Sequence, residues 1–149
     1  METGDDINFI TWHSKANLFL TGGIDMMIWM FNALNGEFST FTGHEEAVNN
    51  AQFSPDGKYV SYKQREDDGK SHVYIKNTET DKITRVIEEK EELVRGYGWA
   101  NENRLIYIMD KGGDENHHLF AVDLDGKNQI ELTPFEGVKV MPLNLLKEQ

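Results

Sequence analysis

The sequence predicts an all-β chain made of four-stranded antiparallel units, and three observations point there. One plan occurs three times: a strand ending in an aromatic residue, a five-residue polar turn, then an apolar strand. The aromatic residues that end those strands, Trp12, Phe53 and Trp99, are 41 and 46 residues apart. No segment carries a sustained helical period, and Gly, Asn and Asp gather at the intervening turns, where they tolerate positive φ or bond their own backbone. Repeats of about 40 to 50 residues with four short strands each are the signature of propeller blades.

The first unit runs through residues 7–12, the turn His13-Ser14-Lys15-Ala16-Asn17, and strands near 17–22, 27–32 and 37–41. The second places strands near 47–53, 58–64, 72–77 and 82–87, with Ser54-Pro55-Asp56-Gly57-Lys58 as its first turn. The third places them near 94–99, 104–110, 118–123 and 129–133. These strands are rich in Val, Ile, Tyr, Phe and Trp. The expected organisation is a single partial propeller over 1–149, with blades 6–43, 46–89 and 92–135 and a tail strand at 138–146. Propellers close with about four to eight blades. Three blades cannot tile a ring, and their two apolar end faces call for a partner.

Composition narrows the function classes. The 149 residues are 38% hydrophobic and 28% charged, with a net charge of −11. So acidic a chain is poorly suited to a phosphate backbone or an anionic membrane, and neither nucleic acid nor membrane is expected as a partner. Without cysteine there is no disulfide, thiolate metal site or thiol nucleophile. No apolar run nears the roughly 20 residues of a membrane span, and the acidic start lacks a secretion signal's basic and apolar regions, so a cytoplasmic location is expected.

Two resemblances meet near residue 57. Leu18-Phe19-Leu20-Thr21-Gly22-Gly23-Ile24-Asp25, Ile28-Trp29-Met30-Phe31-Asn32, Gly36 and Thr42-Gly43-His44 resemble a WD-repeat propeller blade over residues 7–57. Phe31-Asn32 stands where the family's Trp-Asp dipeptide belongs, Thr21 at its strand Ser/Thr, Asp25 at its tight-turn Asp and His44 in its Gly-His pair. The wording is similar to that of the eukaryotic group that includes the chaperone of a large-subunit ribosomal protein. That likeness implies an acidic propeller face holding a basic peptide. The tetrad of His, Ser/Thr, Trp and Asp that ties a WD blade together is incomplete in both of the first two units.

Ser54–Ser61, Tyr107–Asp123 with its Gly-Gly-Asp-Glu-Asn run, and Leu132-Thr133-Pro134-Phe135 instead resemble the TolB-like propeller of prolyl-oligopeptidase-family enzymes, over residues 54–142. The composition shifts at the same place. Residues 1–55 hold one Lys, no Arg and seven acids, whereas the remainder holds 14 basic and 19 acidic residues. The expectation is a fusion of fragments from two propeller families, made by engineering at a turn common to both; the alternative is a divergent natural propeller fragment.

Catalytic and metal chemistry find little footing. None of the five serines (14, 39, 54, 61, 71) lies in a Gly-x-Ser-x-Gly elbow, so no catalytic residue and no enzymatic activity is expected. His117 and His118 are adjacent on a strand and point to opposite faces, so they cannot share one ion. Gly112-Gly113 precedes no helix start and makes no phosphate cradle. No metal or cofactor is expected.

Two sets of residues remain as candidates. Glu45, Glu46, Glu89 and Glu91 follow outer strands and lead into inner ones, and could funnel a basic peptide at one end of a ring. Trp12, Phe19, Trp29 and Phe31 on the first blade, and Trp99, Tyr107, Leu119 and Phe120 on the third, are candidates for self-association. The expected function is a non-enzymatic scaffold that pairs with itself, two chains closing a six-bladed ring. The alternatives are a peptide-binding WD-type chaperone of a basic ribosomal-protein segment, and the substrate-gating propeller of a serine peptidase without its catalytic domain.

Overall fold

The computed structural model describes residues 6–42, 48, 50–111 and 114–135. Twelve strands form three four-stranded antiparallel sheets, each a simple meander. Sheet 1 is β1 (Ile7–Trp12), β2 (Leu18–Gly23), β3 (Ile28–Asn32) and β4 (Phe38–Phe41). Sheet 2 is β5 (Ala51–Phe53), β6 (Tyr59–Arg65), β7 (Ser71–Asn77) and β8 (Ile83–Ile87). Sheet 3 is β9 (Val94–Asn101), β10 (Arg104–Lys111), β11 (Asp114–Asp123) and β12 (Ile130–Glu131). The all-β architecture and the blade-like sheets are those the sequence predicts. The chain divides into two compact units, Met1–Glu88 with sheets 1 and 2, and Glu89–Gln149 with sheet 3. The tail at 138–146, His44 and Gly112-Gly113 lie outside the described residues.

Two strands start four residues from where they are expected. β5 starts at Ala51 rather than 47, because Val48 is tied to the first sheet: its N–H donates to Gly23 O at 3.0 Å. β11 starts at Asp114 rather than 118. The polar run after the glycines pairs with β10 because a ladder is made by backbone groups and does not require apolar side chains.

Within the first unit, sheets 1 and 2 share a core. Leu20, Ile28 and Phe41 from sheet 1 pack with Val48 and with Ala51, Val60 and Tyr62 of sheet 2, and Phe9, Met30, Phe53 and Tyr74 close the edges. The seam is also fastened at the turns. The His13 ring sits edge-on to Phe53, and Ser14 Oγ donates to Pro55 O at 2.9 Å. His13 Nδ1 accepts the Lys15 and Ala16 N–H groups, which orients the ring over Gly57. Gly57 has φ +75°, and any Cβ there would overlap that ring. Glycine is therefore required on two counts.

Candidate functional site

Strand alternation gives sheet 1 two different faces. Leu20, Ile28, Met30 and Phe41 point into the core shared with sheet 2. The register places the other set together: Ile10 opposite Thr21, Trp12 opposite Phe19, Phe19 opposite Phe31, Thr21 opposite Trp29, and Phe31 opposite Phe38. Their rings form a continuous ladder. Trp12 lies 5.0 Å from Phe19, Phe19 stacks on Phe31 at 5.2 Å, Trp29 stacks on Phe31 at 6.0 Å, and Phe38 tilts against Trp29 at 5.3 Å. All four first-blade residues named from the sequence are thus brought together. Phe31, at the centre, is only 5% exposed, whereas Ile10, Trp12 and Phe38 remain 56, 62 and 61% exposed. A concavity of about 440 Å³ opens among Phe19, Trp29, Phe31, Phe38, the strand end Asn32 and the turn residues Ala33 and Gly36.

Ile10 and Phe38 were not singled out from the sequence. Alternation alone could not choose between Phe38 and Phe41, which lie on opposite faces. The indole of Trp29 has a second role. Its Nε1–H donates to Asp25 Oδ2 at 2.6 Å, and Asp25 Oδ1 accepts the Met27 N–H at 3.2 Å. The tight-turn aspartate therefore finds a tryptophan two residues before the position where the WD pattern places one. The Thr21 hydroxyl beside it is fully buried and has no hydrogen-bond partner among the described residues.

Sheet 3 corrects one expectation. Tyr107 and Phe120 are buried and stack at 5.3 Å, sharing a face with Trp99, Leu105 and Val122. Burial pushes the Tyr107 hydroxyl up to about 12, with a hydrogen bond from Gln129 acting the other way. Neither residue is available at a surface, because period 2 puts both on the filled side. Leu119 lies on the opposite face with Ile106, Ile108 and Ala121, and with Gly96 and Gly98 from β9. Among the described residues, nothing stands within 4 Å of where a Cβ on Gly96 would be. A polar row borders this second face. Arg95 Nη2 donates to Asp110 Oδ2 at 2.7 Å, and Asp110 Oδ1 lies 2.6 Å from His117 Nδ1. The Arg95 hydrogen bonds hold the Asp110 carboxyl below its usual value.

The other candidates are placed apart. Glu89 is 5% exposed and its carboxylate accepts the Val94 N–H at 3.0 Å, so it caps its own loop and presents no charge to a peptide. Glu91 is exposed, and Glu45 and Glu46 lie outside the described residues. His117 and His118 engage different carboxylates, Asp110 and Glu131. Among the described residues no group of acids and histidines is arranged to hold a metal ion.

Comparison with known proteins agrees with the architecture. The family described as WD domain, G-beta repeat, matches residues 36–70. That match lies further along than residues 7–57 and runs through the Ser54–Lys58 turn. Over 88 residues, 58% of the chain, the sequence is 39% identical to a dipeptidyl aminopeptidase BIII of Pseudoxanthomonas mexicana. The chain spans only 13% of that relative's length. Among solved structures, the tricorn protease superposes over 83% of the chain with a TM-score of 0.65 at 13% identity, covering 14% of that protein. The β-propeller domain of Cps50 (Swd1) from Myceliophteria thermophila superposes over 88% with a TM-score of 0.56, also at 13% identity, covering 38% of it. The chain thus consists of β-propeller blades like those of peptidase propellers and WD proteins, with a WD repeat in part of it.

Proposed function

We propose that these 149 residues form a non-enzymatic chimeric β-propeller scaffold, engineered from blades of two families, which closes its ring by pairing with a second copy of itself. The observation that carries this reading is the aromatic face of sheet 1. In a ladder of five rings flanked by Ile10, two of the rings, Trp12 and Phe38, and Ile10 itself are more than half exposed. Burying each of Ile10, Trp12 and Phe38 contributes about 1.5–3 kcal/mol. Two such contacts in a closed ring would compete with the cost of association, put at about 4–15 kcal/mol.

The chimeric part is supported by the two kinds of relative, a WD repeat family and a bacterial dipeptidyl aminopeptidase, that match one short chain. The non-enzymatic part is supported by the absence of a nucleophile elbow around any serine of the sequence. Size-exclusion chromatography with light scattering tests the reading. A discrete two-chain species at micromolar concentration is expected, and a soluble single chain overturns it. A chromogenic peptide assay is expected to show no turnover, and turnover would point to a peptidase.

A further inference from the structure

The packing already present inside the chain specifies how a second copy would dock. Aligning the three sheets by their cross-strand pairs, Trp12 and Phe19 of sheet 1 correspond to Phe53 and Val60 of sheet 2, and Thr21 and Trp29 correspond to Tyr62 and Tyr74. Phe53, Val60, Tyr62 and Tyr74 are the side chains with which sheet 2 packs on sheet 1. The aromatic face of sheet 1 is therefore, position for position, the kind of face that sits on a preceding sheet. The surface that receives sheet 2 on sheet 1 is made by Leu20, Ile28 and Met30, beside Gly22. In sheet 3 the same cross-strand positions hold Ile106, Leu119, Ala121 and Ile108.

Resting on the self-assembly reading, we propose that the partner contact is head-to-tail. The aromatic face of sheet 1 in one copy docks on the half-buried Ile106, Ile108 and Leu119 of sheet 3 in the other, around Ala121, which is already buried. Shape agrees with the pairing. The sheet 1 face sets large rings around a concavity of about 440 Å³. The sheet 3 face offers branched aliphatic side chains to fill it, together with Gly96 and Gly98, where no side chain stands in the way of an incoming ring. No described residue occupies the space over Gly96. The Arg95–Asp110–His117 row lies at the edge of this surface, where a polar rim belongs. A contact between two different faces closes when a two-fold repetition of the chain completes the ring.

Mixing two blocked variants tests the assignment. Phe38→Asp places a charge on the sheet 1 face at an exposed position, and Gly96→Glu fills the sheet 3 face where the chain itself has room. Each alone is expected to sediment as a single chain. An equimolar mixture at tens of micromolar is expected to recover a two-chain species holding one of each, because one intact pair of faces remains. Circular dichroism checks that each variant is folded, and Ile10→Asp replaces Phe38→Asp should the latter lose its fold. Gly96→Glu alone remaining paired would overturn the assignment and indicate that two aromatic faces meet each other. Two folded variants that stay single when mixed would overturn it as well. An unmodified chain that is already single removes the self-assembly reading itself, so the two failures are told apart.

Discussion

The Trp29 indole reaches back across the β2–β3 turn and donates to Asp25 Oδ2 at 2.6 Å, so one side chain both closes the turn and builds the aromatic face. A hydrogen bond to a carboxylate contributes more than a neutral one, about 1.5–3 kcal/mol. Trp29→Phe keeps the ring stack and removes the donor. Urea unfolding is expected to show a loss of that size, and an unchanged midpoint would mean that solvent replaces the indole without cost.

Gly57 is the second position where one residue serves two requirements. Gly57→Ala forces a side chain onto a positive φ and into the His13 ring. The expected loss is about 1–3 kcal/mol from the backbone strain alone, with the ring overlap added to it. Adding His13→Ala is expected to relieve the overlap and leave the backbone part. If the two changes are simply additive, the His13 ring does not press on this turn.

Alkali is expected to unfold the chain before it titrates the buried phenols. Burial raises Tyr62 and Tyr107 from 10.0 to about 12. Because the folded value lies above the unfolded one, their contribution is complete below about pH 10 and is lost as pH rises towards 12. Phenolate absorbance followed together with circular dichroism checks this. Titration of all five tyrosines near pH 10 with the fold intact would contradict the burial.

How much of this was legible beforehand follows from what period 2 can and cannot say. It groups Trp12 with Ile10, and Trp29 with Phe31, and it puts the adjacent Leu119 and Phe120 on opposite faces, although both were named for one surface. It does not say which group is covered, so Tyr107 and Phe120 were read as a free face when they lie in the filled one. Register was needed to bring Phe38 opposite Phe31. The Asp25–Trp29 bond was hidden because the family pattern directs attention to position 31. Likewise Glu89 reads as one of several surface acids, and only the fold of its loop turns the carboxylate onto Val94 N–H.

Sedimentation velocity of the unmodified 149-residue chain, diluted from micromolar to nanomolar, is the most direct measurement. A propeller completed by a second copy is expected to run as one discrete species at twice the 17.1 kDa of a single chain, dissociating only on dilution. A soluble, folded 17.1 kDa species at micromolar concentration would contradict self-assembly, and a discrete three-chain mass would contradict the six-bladed ring.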